Sequence, residues 1–129
     1  MSKYSAIFYE ESAQQILMKN EKVFLGHRPH GTIHTTLVFG ELLPKRVMGK
    51  QVSITVVGYG NDGRNSGFQV VLPEEVRSLF GMKVPHITMS LAEGAKAKDT
   101  GNIRFQKITP FTITGIIGSC VDGKITLAR

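Results

Sequence analysis

The sequence contains no tryptophan, a single cysteine and no long apolar run. One cysteine, Cys120, cannot form an internal disulfide and fits a reducing compartment. Because it lies in an apolar run before a turn, Cys120 is expected to be a small core residue and not a nucleophile. No stretch approaches the about 20 apolar residues that span a bilayer, and the N-terminus shows no signal-peptide pattern. We therefore expect a soluble, cytoplasmic protein with no membrane partner.

Acidic residues are also scarce relative to basic ones. Ten Asp and Glu stand against sixteen Lys and Arg, which leaves a formal net charge of +6. This balance favours an anionic partner such as a nucleotide or RNA. Aromatic residues make up only 8% of the chain, so a stacking platform for single strands is not evident. The 129 residues suffice for one domain with a core, and we predict a single domain over residues 1–129.

The apolar patterning predicts an α+β fold. Helices are expected at residues 10–20 and 73–80, where apolar residues recur at helical spacing. Strands are expected at 4–9, 33–39, 52–57, 68–72, 85–91, 103–108, 111–121 and 124–127. Residues 92–102 read as a polar loop, and Asp122 with Gly123 forms a strong signal for a tight hairpin turn. This order of elements favours a mostly antiparallel sheet with two helices packed outside it.

One short pattern occurs twice, in the predicted strands 33–39 and 85–91. Each copy has a histidine and, two positions later, a threonine. Because side chains alternate between the faces of a strand, the two members of each pair point the same way. The pairs are His34 with Thr36 and His86 with Thr88. The residue between them points to the opposite face in each strand.

Two such strands lying near each other would form a cleft with two imidazoles and two hydroxyls. This set suits phosphodiester chemistry, because a neutral histidine can take a proton from water while a charged one protonates the leaving oxygen. Threonine hydroxyls can donate hydrogen bonds to phosphate oxygens, and no metal is required. A single His-x-Thr sequence is more often a packed or solvated histidine, but two copies in strand-like runs are more specific. The two motifs are near-equivalent, so the sequence leaves open which histidine is the acid.

Two other patterns are weaker than they first appear. His27, His30 and His34 have the spacing of metal ligands on a helix, but Pro29 and Gly31 argue against a helix there. No carboxylate or cysteine lies among them to complete a zinc site, so we predict no metal.

A glycine-rich stretch at Gly58, Gly60 and Gly63 matches the dinucleotide fingerprint G-x-G-x-x-G. The fingerprint works only where a strand leads through the turn into a helix. Here residues 64–67 read as loop and residues 68–72 as a strand. We interpret the stretch as a hairpin loop and predict no cofactor.

The paired motifs resemble those of the 2H phosphoesterase superfamily, which is defined by two His-x-Thr/Ser motifs. The second motif together with residues 96–102 and 114–118 is similar to the cyclic phosphodiesterase domain of fungal and plant-type tRNA ligases. Residues 34–38 are equally similar to phage 2H enzymes that destroy cyclic-nucleotide alarm signals of the host. The chain is shorter than most members of the superfamily and carries no ligase or kinase domain, which leaves a role in tRNA splicing in doubt.

The resemblance implies two lobes of strands around a central cleft, with one motif in each lobe. It implies a metal-independent hydrolase that opens 2′,3′-cyclic phosphates of nucleotides or RNA ends, with a 2′-phosphate as product. His34 and His86 would be catalytic, and Thr36 and Thr88 would bind the phosphate. Lys96 and Lys98 are further candidates for phosphate binding, although lysines in a polar loop are more often merely solvated.

Two alternatives stay open at this point. One is a phage-type enzyme that degrades cyclic nucleotide or cyclic oligonucleotide immune signals. The other, from a different class, is a non-catalytic module that binds RNA or nucleotides in the same cleft. The presence of all four motif residues favours catalysis, and the sequence gives no indication of the oligomeric state.

Overall fold

The computed structural model describes residues 3–29, 33–40, 43–44, 46–81 and 84–127. The strands in these ranges are β1 (Lys3–Tyr9), β2 (His34–Phe39), β3 (Gln51–Asn61), β4 (Asn65–Val71), β5 (His86–Leu91), β6 (Gln106–Val121) and β7 (Lys124–Thr126). The helices are α1 (Glu11–Asn20), α2 (Glu74–Arg77) and a 3₁₀ helix over Ala97–Asn102, which we call the 3₁₀ segment. None of the described helices is long and apolar enough to cross a membrane.

The strands form one 7-stranded sheet in the order β2-β1-β6-β3-β4-β5, with β7 paired to β6. All pairings between the described strands are antiparallel, which confirms the predicted mostly antiparallel sheet and is compatible with the predicted α+β class. β6 is long enough to join the two halves, because residues 115–121 pair with β1 and residues 106–116 pair with β3. The two ends of this path, β2 and β5, also contact each other, so the sheet curls back on itself. These two terminal strands carry the two histidine motifs.

Other parts of the chain contact the outer edge of each motif strand at one point. On β2, the Gly81 N–H donates to the Leu37 carbonyl at 2.8 Å. On β5, His27 and Leu91 exchange two backbone hydrogen bonds, of 3.0 and 2.8 Å. Each contact uses backbone groups that an edge strand would otherwise leave unpaired at that position.

The core is built from apolar side chains on the face of the sheet opposite the motif residues, together with α1. Ala13 and Leu17 of α1 are buried, whereas Ile16 is 42% exposed. Acidic Glu11 in the first turn and basic Lys19 in the last complement the helix dipole. Cys120 is buried in a small second cluster, where the prediction placed it.

The second helix is shorter than predicted. The expected helix over residues 73–80 was wrong in extent, because α2 ends at Arg77. The following chain turns toward β2, where Gly81 bonds Leu37 and cannot continue a helix. Val76 is buried as the pattern indicated, and Phe80 packs partly buried against the core.

The glycine-rich stretch is mostly strand, which corrects its predicted assignment as a loop. β3 runs through Gly58 and Gly60, and β4 already begins at Asn65. Glycine suits both positions of β3, since a Cβ would lie 3.2 Å from the Gln106 carbonyl oxygen at Gly58 and 2.6 Å from that of Arg104 at Gly60. The chain passes from β3 through a tight turn into β4, so the helix that the dinucleotide fingerprint needs does not follow.

The predicted strands at 103–108 and 111–121 are in fact one strand, β6, which begins at Gln106 and runs through Pro110. Proline is tolerated there because the register between β6 and β3 shifts near Val56, opposite this part of β6, and β1 pairs only from Gly115 onward. The predicted hairpin after β6 is confirmed. Asp122 and Gly123 have φ of 50° and 83°, the left-handed values of a two-residue turn of the type that joins strands tightly.

Candidate active site

The two motif strands line one cleft, with a volume of ≈ 360 Å³. All six side chains that the sequence indicated as a site line this cleft: His34, Thr36, His86, Thr88, Lys96 and Lys98. The motifs lie far apart in the sequence and at opposite ends of the sheet path, and the curl of the sheet brings them together. The structure thus brings these six side chains together, and their roles in binding or catalysis stay predictions.

Side-chain alternation works as predicted in both motif strands. Thr35 and Ile87, the residues between each histidine and threonine, are fully buried on the opposite face. The Thr35 hydroxyl forms a hydrogen bond of 2.7 Å with the Tyr9 hydroxyl in the core. Burial of these two residues fixes the register of each strand, because a slip by one residue would expose them and bury the histidines.

His34 lies against an aromatic wall. The Tyr4 ring stacks on it with centroids 5.3 Å apart and planes inclined by 27°, and the Phe8 ring lies at 5.6 Å. A bulge between β1 and β2 at Ser5 then brings Phe39 opposite Tyr4, with centroids 5.8 Å apart, so that both aromatic side chains line the cleft. Burial raises the pKa of the Tyr4 hydroxyl, so this wall stays uncharged.

His86 has a different environment. Its Nδ1 atom lies 2.7 Å from the Val84 carbonyl oxygen. Since a carbonyl oxygen can only accept, Nδ1 carries the proton and Nε2 keeps its lone pair. Burial lowers the pKa of His86 below its ordinary value of 6.5, and the hydrogen bond to Val84 opposes part of this shift. His86 is therefore mainly neutral at pH 7, with Nε2 as the proton acceptor.

The two threonines also differ. Thr88 is 8% exposed, and its hydroxyl donates to Thr100 Oγ1 at 2.9 Å, with the Ala97 carbonyl oxygen 3.2 Å away. The Thr36 hydroxyl is half-buried and has no hydrogen-bond partner among the residues that the structure describes. Near-equivalent motifs in the sequence therefore become unequal in the fold. Thr36 is the one whose proton is available to a ligand.

Lys96 and Lys98 are exposed and stand at the rim of the cleft, immediately before and at the start of the 3₁₀ segment. Within the described part of the chain, the ion pair between Arg28 and Glu21 is the only salt bridge, so neither lysine is neutralised by a carboxylate. The rim therefore carries positive charge. Whether these lysines bind phosphate stays a prediction.

Of the three histidines with the spacing of metal ligands, His27 and His34 lie in different surroundings. His27 is exposed and pairs through its backbone with Leu91, whereas His34 lies in the cleft. His30 lies outside the described residues. Across the residues that were placed, no group of three or more His, Cys, Asp or Glu side chains could hold a metal ion.

Several residues of the site were not predicted from the sequence. They are the aromatic residues Tyr4, Phe8 and Phe39 and, around His86, Asn65, Thr100 and Gly101. Tyr4 and Phe8 share a face of β1 by simple alternation, but the pairing of β1 with β2 that places them against His34 has no local signal. Neither the protein-family models nor the curated proteins compared with this chain match it.

Proposed function

We propose that this protein is a metal-independent phosphodiesterase of the 2H type that opens 2′,3′-cyclic phosphates of nucleotides or RNA ends. The observation that carries the proposal is the convergence of His34, Thr36, His86 and Thr88 on one cleft from opposite ends of the sheet. The strands form one continuous sheet with a motif strand at each end of its path. The two-lobed arrangement remains what the resemblance implies.

The unequal surroundings of the histidines support an assignment of their roles. His86, neutral with Nε2 unprotonated, takes a proton from water as the water oxygen forms a bond to phosphorus. His34 starts as the imidazolium, a charge that the faces of Tyr4 and Phe8 stabilise. It gives its proton to the ribose oxygen as the bond between that oxygen and phosphorus breaks. The net reaction consumes one water and returns the two histidines to their starting states by exchange of one proton with solvent.

The charge that builds on the phosphate during attack needs hydrogen-bond donors. Thr36 can donate directly, since its hydroxyl has no partner among the described residues. Thr88 serves the same phosphate only if its hydroxyl proton turns away from Thr100. Lys96 and Lys98 add positive charge at the rim, where they attract the anionic substrate and offset its charge.

The size and lining of the cleft favour a small nucleotide. Its volume of ≈ 360 Å³ is near the lower end of small-molecule sites, about 300–1,000 Å³. The net charge of +6 favours a phosphorylated ligand. A terminal nucleotide of RNA or a mononucleotide therefore fits better than an entire cyclic oligonucleotide. The 2′-phosphate product is proposed on the resemblance to tRNA ligase domains.

The test is a turnover assay with ³¹P NMR detection on three substrates. They are a nucleoside 2′,3′-cyclic monophosphate, a short RNA with a 2′,3′-cyclic phosphate end, and a cyclic dinucleotide. We expect conversion of the first two to 2′-phosphates and little turnover of the third. Preferential cleavage of the cyclic dinucleotide would instead support the phage-type alternative. His27→Ala is the control variant, since this exposed histidine lies outside the cleft and bonds through its backbone.

A non-catalytic binding module is the second candidate function. The engaged hydroxyl of Thr88 favours it, because a donor that already bonds Thr100 gives less stabilisation to the charge that develops only during the reaction. Isothermal titration with the same three ligands distinguishes the candidates. Saturable binding without any turnover would support the module and contradict the enzyme.

A further inference from the structure

The 3₁₀ segment lies directly against the ring of His86, and Gly101 is the point of contact. A Cβ atom at Gly101 would lie 3.1 Å from Cε1 and 3.3 Å from Nδ1 of the imidazole. These distances are tighter than ordinary van der Waals contact, so any side chain at this position would push the ring. Gly101 does not have the positive φ that favours glycine for conformational reasons. The absence of a side chain at Gly101 therefore leaves the space that the His86 imidazole occupies.

The segment that carries Gly101 is held in place by a buried polar network. Asn65 of β4 donates from Nδ2 to the Lys96 carbonyl oxygen at 2.8 Å and to Thr100 Oγ1 at 3.0 Å. Thr88 of β5 donates to the same Thr100 oxygen. Asn65 and Thr100 are 2% and 0% exposed. Buried hydrogen bonds of this kind fix geometry strongly, because breaking one leaves a polar group unsatisfied.

We propose that the 3₁₀ segment is a positioning device for His86, in which Gly101 supports the imidazole ring while Asn65 and Thr100 hold the segment against β4 and β5. The Val84 carbonyl fixes the edge of the ring at Nδ1, and Gly101 limits its movement from another direction. Both contacts oppose a flip of the ring about its Cβ–Cγ bond, which would take Nδ1 away from the Val84 carbonyl and place Cε1 where Nε2 now lies. Nε2 then stays available as the proton acceptor.

The same device sets the positive rim of the cleft. Lys96 contributes its backbone carbonyl to the Asn65 bond, and Lys98 lies within the 3₁₀ segment. A shift of the segment would therefore move His86 and the two lysines together. Geometry at this level matters for rate, since misplacing a catalytic group by about 1 Å can cost about 10²-fold.

Two sets of variants test the proposal on the full chain. Gly101→Ala adds the Cβ that meets the ring, and Gly81→Ala is the matched control, because its Cβ would make ordinary contacts with Val38 at 3.4 Å and the Leu37 carbonyl oxygen at 3.9 Å. Thr100→Val removes the buried hydroxyl and keeps the shape, whereas Thr100→Ser keeps the hydroxyl. Thermal melting of each variant establishes that it is folded.

The primary measurement is the tautomer and pH titration of His86, read from long-range ¹H–¹⁵N NMR spectra of the imidazole. We expect the Nδ1–H tautomer in the wild type, in Gly81→Ala and in Thr100→Ser. In Gly101→Ala and Thr100→Val we expect shifted ring signals and a mixture of tautomers. If His86 gives the same signals in all folded variants, the positioning role is wrong.

The second measurement is kinetic and rests on the proposed phosphodiesterase function. We expect Gly101→Ala to lower kcat about 10-fold to 10²-fold with KM changed by less than about 3-fold, because ring orientation affects the reaction more than binding. Wild-type kcat in Gly101→Ala would overturn the proposal even if the NMR signals shift. A wild type without turnover on any substrate contradicts the proposed function alone, and the NMR comparison then decides the positioning role by itself.

Discussion

The ring of Tyr4 stacks on the ring of His34, with centroids 5.3 Å apart and planes inclined by 27°. Tyr4 and His34 both line the cleft, so the stacked pair forms part of its wall. An aromatic face attracts an imidazolium through its quadrupole, beyond the stacking that it also gives to a neutral ring. This contact motivates the proposed role of His34 as the acid, and the Val84 carbonyl at Nδ1 motivates that of His86 as the base.

Removing this aromatic face changes the pH dependence of the reaction. We expect the alkaline limb of the pH–rate profile to move toward lower pH in Tyr4→Leu, because the imidazolium loses a stabilising contact. Tyr4→Phe keeps the ring and is the matched control, with a profile like that of the wild type. Profiles of kcat against pH for the three proteins provide the measurement. An identical alkaline limb in Tyr4→Leu would contradict the assignment of His34 as the acid.

The two motif threonines give different results on replacement by valine. Thr36→Val lowers kcat/KM by about 10- to 150-fold, the value of a hydrogen bond to a charged group at about 1.5–3 kcal/mol. Its melting temperature stays near that of the wild type, because the Thr36 hydroxyl has no partner among the described residues.

Thr88→Val lowers stability as well as activity. It removes a buried donor to Thr100, and we expect a loss of about 1–3 kcal/mol in the free energy of unfolding. Urea unfolding and kcat/KM are measured on the same preparations of both variants. Equal free energies of unfolding for Thr36→Val and Thr88→Val would show that the hydrogen bonds around Thr100 contribute little to the stability of the fold.

The lowered pKa of His86 makes the fold sensitive to acid. Because the unfolded chain binds a proton at His86 more readily than the folded one does, folding stability rises with pH in this range. The stability that neutral His86 contributes to the folded state is fully present above the ordinary pKa of 6.5. It is lost as the pH falls through the lowered pKa that His86 has in the folded state. We expect the melting temperature to fall between pH 7.5 and pH 5, and to fall less in His86→Gln. His27→Gln, at an exposed histidine, should keep the pH dependence of the wild type.

Activity is expected to survive exhaustive chelation. Among the described residues that line the cleft there is no carboxylate and no cysteine, so the proposed reaction uses only histidine, threonine and lysine side chains. The assay is repeated after dialysis against EDTA, with and without added divalent ions. Loss of activity after EDTA treatment, restored by one divalent metal, would contradict the metal-independent mechanism. It would instead favour a metal site that includes His27 and His30.

The site was more predictable than the boundaries of the strands around it. Period-2 alternation around His34 and His86 placed their buried and cleft-facing neighbours correctly, because each strand has one buried face that fixes its register. The helix at residues 73–80 and the loop at residues 58–67 were misjudged, since long-range contacts decided both. Gly58 and Gly60 look like turn residues but allow close approach of the chain near Arg104 and Gln106.

The difference between the two motifs could not be predicted from the sequence. It depends on Val84, Asn65 and Gly101 at His86 and on Tyr4 at His34, which belong to other elements. Pairing of distant strands determines these neighbours, and no local pattern encodes it. The chemistry of the proposed reaction predicted which residue types form the site, whereas the pairing of distant strands determines which residues surround them.

The most direct test of the proposed function is a double-mutant cycle on the histidine pair, with kcat on a nucleoside 2′,3′-cyclic phosphate as the measurement. His34→Ala and His86→Ala should each lower kcat by about 10² to 10⁴, the usual scale of general acid–base catalysis. Because the two act as a unit, the double variant should lose much less than the product of the single losses. His27→Ala should match the wild type. Near-full activity of His86→Ala, together with loss of activity in His27→Ala, would contradict the paired-motif site.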